Sequence, residues 1–309
     1  MAEPLDPNIR IKCDDGRDPN AIELEFERTD YAVNYLRERL QSLQNEWDAF
    51  EPYEPPPPDS IGIGTIEDLQ KIGNDPGYPL DGTYHLTNDI DASDTATWNA
   101  GAGFEPIGAV LPFFTGTLDG RGFVVDGLYI NRPAAQTQGL FGYCFPGSEI
   151  TNLGIVNADI TCLSNSGILA RSLRSTTQQC FTTGSITSTV TSSNAQVGGL
   201  AGDNRGTITN CYSSATVTTN GDRGQVGGLI GLQWAESGAS ITNCYSTGAV
   251  NSTLSSAGGF IGLVDTGSVT NCYWDTETSG QATSAGGTGK TTAEMVRAST
   301  YSGWDFGRV

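Results

Sequence analysis

Apolar residues follow two different rhythms along this chain. Through residues 61–309 they come in short bursts between Gly, Ser, Thr and Asn, whereas residues 29–50 space them at helical intervals. The bursts repeat. Val197-Gly-Gly-Leu200 and Ile208-Thr-Asn-Cys-Tyr-Ser213 return as Val226-Gly-Gly-Leu229 and Ile241-Thr-Asn-Cys-Tyr-Ser246, then as Ala257-Gly-Gly-Phe260 and Val269-Thr-Asn-Cys-Tyr-Trp274. Gly199 and Gly228 are 29 residues apart, and Gly228 and Gly259 are 31 apart. A fixed period in that range signals stacked structural units. Worn copies extend it backward: Gln138-Gly-Leu-Phe141 and Ser166-Gly-Ile-Leu169 fill the first slot, Asn152-Leu-Gly154 and Gln179-Cys-Phe181 the second. The resulting ladder, Leu153, Cys180, Cys211, Cys244 and Cys272, has steps of 27, 31, 33 and 28 residues. A position that accepts Leu or Cys at each level predicts a narrow apolar interior.

The helical rhythm predicts something else. Thr29 or Asp30 supplies an N-cap for a helix running to about Phe50. Val33, Leu36, Leu40, Leu43, Trp47 and Phe50 are spaced 3, 4, 3, 4 and 3, an a/d seam that predicts a coiled coil, with a trimer the favoured order. An amphipathic helix docked on another protein carries the same pattern. Ahead of it, residues 1–28 form a polar anchoring segment with one alternating run, Ala21–Glu27, predicted as a strand with Ile22, Leu24 and Phe26 on one face. Behind it, Glu51-Pro-Tyr-Glu-Pro-Pro-Pro-Pro58 makes residues 51–60 a semi-rigid extended spacer. Residues 61–309 are then the repeat domain. Thr65–Ile72 reads as a short helix with a Thr cap and first-turn acids, placed to cover the open strand edges at the solenoid's beginning. Strands are predicted at Gly82–Leu86, Gly116–Leu118 and Phe123–Ile130.

Composition narrows the function classes. The 309 residues carry a net charge of −19, which argues against nucleic acid as a partner because phosphate binding needs clustered Lys and Arg. No apolar run approaches the ~20 residues of a membrane-spanning helix, and Met1–Arg10 has no secretory-signal pattern. Seven cysteines, mostly at or near repeat slots, predict small buried residues and not a disulfide framework. No C-x-x-C and a single histidine, His85, leave no metal site and no cofactor to expect.

The motifs resemble a known family. Tyr84–Asp91, Phe104-Glu-Pro-Ile-Gly108, Phe114–Gly122 and Leu128-Tyr-Ile-Asn131 look like the opening coils of GLUG-repeat proteins. The Gly-Gly-Leu and Asn-Cys-Tyr repeats, Cys272–Gly280 and Gly286–Met295 are similar to that family too. The resemblance covers about residues 61–309. It implies an all-β, right-handed parallel β-helix with one coil of about three short strands per repeat. Family members are mostly surface adhesins, secreted repeat proteins and some phage proteins; some carry a zinc-protease domain, whose H-E-x-x-H is absent here.

Candidate chemistry is sparse. Gly286-Gly-Thr-Gly-Lys-Thr291 suggests a phosphate loop, but Ser284 stands where its first Gly belongs, and a Gly-rich bend before a helical cap is the better reading. Asn88–Asp94 could hold calcium, yet it lacks the Gly and terminal Glu of an EF-hand, so an Asx-rich turn is expected. A glycan-cleaving acid pair would come from Asp119, Asp126, Asp203 and Asp265, and nothing singles out a dyad. No catalytic residue is assigned. Trp234 and Trp274 stand where the repeat otherwise carries small residues, and either could stack on a sugar or anchor a protein; Trp274 could equally cover the end of the apolar stack. The expected function is therefore non-enzymatic: a virion appendage, of phage type, that oligomerises through residues 29–50, attaches to virion proteins through residues 1–28 and projects a β-helix toward host-surface glycan or protein. An exported cell-surface adhesin and a surface-glycan depolymerase are the alternatives, and the location is correspondingly the virion or the extracellular surface.

Overall fold

The computed structural model describes residues 9–13, 22–26, 55–191, 195–234 and 238–304. The chain divides into two compact units, residues 1–55 with 305–309, and residues 56–304. In the first, Ile9–Cys13 pairs antiparallel with Ile22–Phe26, Ile11 opposite Leu24. The second strand is the one the alternation of Ile22, Leu24 and Phe26 predicts; the first is an addition. The helix expected over 29–50 and its seam lie outside the described residues, as do residues 51–54 of the proline spacer.

Residues 56–304 form an all-β parallel solenoid of about six turns with few helices. One coil shows the construction. Ala195–Gly198 joins a four-stranded sheet, Ala201–Asn204 a five-stranded sheet, Thr207–Thr209 an eight-stranded sheet, and Tyr212–Ser213 with Thr216–Thr219 an eleven-stranded sheet. The next coil repeats the path in parallel register: Val197 beside Val226, Ala201 beside Ile230, Ile208 beside Ile241, Tyr212 beside Tyr245. Stacking places like on like, so each inward slot becomes a continuous apolar column. Ile150, Ile208 and Ile241 share one column with Thr177. Leu153, Cys180, Cys211, Cys244 and Cys272 form another, each at most 3 % exposed.

From residue 150 onward, the corner between the eight- and eleven-stranded sheets carries a left-handed residue in each coil. Asn152, Gln179, Asn210, Asn243 and Asn271 occupy it at φ between 51° and 54°. Asn bears that conformation better than most residues with a Cβ, which accounts for its place in the repeat. The following Cys adds a function that packing alone would not require. The Cys211 thiol donates to Thr209 O (3.2 Å), while its sulfur accepts from the Cys180 backbone N–H (3.3 Å). Cys244 serves Cys211 in the same way, at 3.4 Å. A Leu here would fill the slot and leave that buried amide without a partner.

Each repeat's two signatures meet across the interior. A Cβ on Gly199 would lie 2.2 Å from Ser213 Oγ and 2.3 Å from Gly228 O; one on Gly228 would lie 2.2 Å from Gly259 O and 3.0 Å from Ser246 Oγ. The second Gly of Gly-Gly-Leu is therefore the space into which the Ser after Asn-Cys-Tyr projects. In the last repeat Trp274 takes the Ser place, and its ring lies against Gly259.

At the other end, the helix spans Ile66–Lys71, with Thr65 Oγ1 accepting from Asp68 N–H (3.2 Å). Ile66, Leu69 and Ile72 join the core. The expected strands fall at Thr83–Leu86, Thr117–Asp119 and, broken at Gly127, at Val124–Asp126 and Tyr129–Arg132.

Candidate functional site

Repetition fills the interior, so any site must be built from what the coils turn outward. Three outward features are large enough to consider.

The first is a cleft of about 260 Å³ lined by Glu67, Gln70, Lys71, Asn74, Asp75 and Trp98. The helix Ile66–Lys71 and its exit form one wall. Gln70 ties that wall to the next coil twice, donating to Glu105 O (3.0 Å) and accepting from Glu105 N–H (2.9 Å). Lys71 Nζ bonds Asp68 Oδ1 at 2.8 Å and lies 5.3 Å from the Tyr78 ring centre. That hydrogen bond lowers the Asp68 pKa and raises the Lys71 pKa. The other wall is the irregular 3-10 stretch Ser93–Gly101, interrupted at Trp98 by an extended residue (φ −71°, ψ 152°). Asn99 and Ala100 follow at φ 52° and 56°. Trp98 itself is partly buried against the core at the cleft's edge, and Asn99 fastens the turn through Nδ2 to Gly103 O (2.8 Å). The Trp98 ring rests on Phe104, 6.4 Å between centres and 26° between planes.

The second feature is a stripe along the five-stranded sheet. Phe113 packs on Tyr143 and Phe145 at 4.6 and 4.7 Å. Arg171 lies over Tyr143 (4.7 Å), Arg174 over Phe145 (4.9 Å) and Arg205 over Trp234 (4.5 Å). Asp203 holds the stripe together: it is fully buried and accepts from Arg171 (2.7 Å), Ser172 (2.8 Å) and Arg205 (3.2 Å). The nearby loop leaves Val110 and Leu111 each 76 % exposed.

The third is a column of rings on the eleven-stranded sheet. Phe181, Tyr212 and Tyr245 stack at 5.0 and 4.8 Å with planes within 6° of parallel. Tyr301 and Trp304 then fold against Tyr245 and Tyr273, and Trp304 Nε1 donates to Asn271 O (3.0 Å). Rings in such a column cover one another's faces and offer a ligand only their edges.

The residues singled out in the sequence are dispersed. Trp234 ends the strand Ile230–Gln233, half-buried in the stripe. Trp274 is 6 % exposed and donates to Gln281 O at 3.3 Å, so its ring lies inside the solenoid. The four acids do not converge as a pair. Asp119 accepts from Arg121 N–H and Asn152 Nδ2, Asp126 from Asn157 Nδ2, Asp203 is enclosed as above, and Asp265 is exposed. The register aligns Asp203 with Leu232 and Leu263, so no acid repeats at that place in the coil. In the acidic loop Asp89 accepts from Val124 N–H and Asp91 from Ser93 N–H, the latter an Asx turn. Thr288–Lys290 is a strand paired with Tyr273–Asp275, followed by the one-turn helix Thr292–Met295. His85 lies on a strand, its Nδ1 2.8 Å from Ser60 Oγ, with burial lowering its pKa. Trp98, Arg171 and Arg205 drew no notice in the sequence, because each occurs once, outside any repeated phrase.

The architecture defines a parallel β-solenoid of stacked ~30-residue coils. Within it, residues 193–218 and 222–251 match the model of the GLUG motif, as the resemblance of the repeats leads one to expect. A stretch of 163 residues, 51 % of the chain, is 37 % identical to Halomucin of Haloquadratum walsbyi, and this match spans only 2 % of that protein's length. Among solved structures, a Bacteroides ovatus protein provisionally named an immunoglobulin A1 protease aligns with TM-score 0.50 over 76 % of this chain and 85 % of its own, at 19 % identity. That likeness concerns the fold.

Proposed function

We propose that this chain is an adhesin-like binding solenoid displayed at an extracellular surface, without chemistry of its own. The observation that carries the reading is the 37 % identity over half the chain to Halomucin. The dispersal of the four candidate acids, three in separate hydrogen-bonding settings and Asp265 exposed, supports binding over glycan cleavage. A parallel solenoid suits display because each coil packs on its neighbours and the stack stays stiff as it lengthens. In this reading residues 1–28 anchor the chain, residues 29–50 associate as a trimer through the Val33–Phe50 seam, and residues 51–60 space the solenoid from the anchor.

A virion appendage would need the same stiffness; the relative found belongs to a cellular organism, which favours the cell surface. Antibody against residues 56–304 separates the two. Labelling of intact cells, lost after protease shaving, is the expected result. Signal only after lysis, or only in purified virus particles, overturns the cell-surface reading. Sedimentation of the full chain and of a chain lacking residues 1–50 tests the seam: a trimer that becomes a monomer supports it, and a monomer in both cases removes it.

A further inference from the structure

We propose that the cleft between Glu67, Asn74, Asp75 and Trp98 binds a neutral sugar residue. A sugar offers an apolar C–H face and a ring of hydroxyls, and the cleft supplies a counterpart for each. Trp98 is a half-buried aromatic wall whose ring lines the cleft while resting on Phe104. Glu67, Asn74 and Asp75 are exposed around it and bring carboxylate and amide groups suited to adjacent hydroxyls. Asp75 Oδ1 accepts from Gly77 N–H (2.7 Å), which fixes the carboxylate's direction and leaves Oδ2 available to a ligand.

Charge selects among sugars. The lining holds the carboxylates of Glu67 and Asp75, while its one ammonium, Lys71, is already bonded to Asp68. An acidic sugar would meet repulsion, so a neutral hexose or N-acetylhexosamine fits better. A divalent cation fits less well, since among the described residues no three acidic, His or Cys side chains converge. The size, about 260 Å³, lies below the roughly 300–1,000 Å³ of sites for drug-sized ligands and suits one sugar or a chain end.

Rigidity is the independent observation. Gln70 in one wall is held by two hydrogen bonds to the Glu105 backbone, and Trp98 in the other is followed directly by Asn99 and Ala100, both in the left-handed region. Ala gains nothing locally from that conformation, so the surrounding structure imposes it; such strain concentrates where a side chain must be presented. A preset wall lowers the ordering cost of binding a small ligand.

The proposal rests on the adhesin reading for its setting, and its test is independent of where the protein resides. The full chain would be applied to an array of neutral hexose and N-acetylhexosamine oligosaccharides beside sialylated and sulfated ones, and the hits titrated by ligand-observed NMR. Neutral glycans should bind. Trp98→Ala should weaken binding about tenfold, Glu67→Gln should weaken it several-fold, and Trp234→Ala should leave it unchanged. Glu67→Gln is decisive if Trp98→Ala disturbs folding, because Glu67 is exposed. Binding of no glycan, of acidic glycans only, or with undiminished strength by both variants overturns the proposal.

Discussion

The first coils and the later ones solve the same packing problem in opposite ways. From residue 195 to 275 one phrase fills every level, with Gly-Gly facing Ser or, in the last repeat, Trp274, Cys bonding the coil below and Asn turning the corner. Between residues 61 and 145 the interior is filled instead by single large residues such as Phe104, Phe114 and Phe141, the last two 4.8 Å apart. The intervening chain breaks the period with the Ser93–Gly101 stretch and the exposed Val110 and Leu111. The regular half covers its outward rings with one another; the irregular half leaves Trp98 beside an open cleft. Repetition builds the scaffold, and departures from it make room for a ligand.

The largest predicted difference between the halves is in alkali. Burial raises the thiol pKa of Cys144, Cys162, Cys180, Cys211 and Cys244, that of Cys162 to about 11. An unfolded thiol ionises near 9 and a buried one does not, so the unfolded chain loses protons that the folded chain keeps. The stabilising contribution is complete below pH 9 and shrinks as pH rises above it, by about 1.4 kcal/mol per thiol per pH unit. Four of the five lie beyond residue 145 and Cys144 sits at the edge of the early coils, so the loss in alkali falls mainly on the later part of the solenoid. Cys272 does not join them, because the hydrogen bond from Cys244 lowers its pKa. Residues 61–143 hold no cysteine; there the buried Tyr84 phenol is raised from an ordinary value of 10, a unit later. Hydrogen exchange between pH 8 and 10.5 should show the later coils opening first. Simultaneous opening, or opening from the N-terminal coils, breaks the comparison.

A second test asks whether the regular half also depends on residues outside its phrase. Asp203 is completely buried between two guanidiniums that are themselves 14 % and 18 % exposed. Asp203→Ala should cost about 3–5 kcal/mol in chemical denaturation, as removal of one partner from a buried ion cluster does. Asp203→Asn should cost less, since the amide oxygen still accepts. A loss below 1 kcal/mol for the alanine variant would make the stripe an ornament and leave the repeat as the whole source of stability.

How much of this was legible in the sequence follows the same division. The ladder from Leu153 to Cys272 and the Thr65 cap could be located because a periodic slot or a capping signal names its own surroundings. The partner of each Gly-Gly could not, since Gly199 meets Ser213 across the interior and Gly228 of the next coil. Nor could the sulfur's second role, because apolar filling and amide satisfaction both select Cys. Trp98, Arg171, Asp203 and Arg205 each occur once, and lateral stacking across coils brings them to their partners. Without register between coils, a single residue carries no address.

The Gly pairing gives the third prediction. In Gly228→Ala the new Cβ would meet the Gly259 carbonyl at 2.2 Å, so the backbone of two coils must part, at a cost of about 3 kcal/mol. Gly101→Ala makes the same chemical change at φ 85° with nothing within 4 Å, and should cost only the ~1–2 kcal/mol of a left-handed alanine. Paired urea melts of the two variants measure the difference. Equal losses would mean that backbone conformation, not the meeting of the two signatures, selects Gly in the repeat.

The smallest effect carries a change of sign. Asn210 and Ala100 share nearly the same backbone, φ 54° and 56°, in opposite halves of the solenoid. In the repeat the residue suits the corner, so Asn210→Ala should destabilise by about 1 kcal/mol. In the cleft it does not, so Ala100→Gly relieves about 1–2 kcal/mol of steric cost while returning ~0.4–1 kcal/mol of chain entropy to the unfolded state. The net is a stabilisation of about 0.5 kcal/mol, within reach of replicate denaturation curves. If the strained turn exists to aim Trp98, the same substitution should weaken neutral-sugar binding even as the protein becomes more stable. A variant both more stable and equally competent to bind would show the strain to be incidental. One that loses stability would show that Ala100 makes a packing contact large enough to outweigh its backbone.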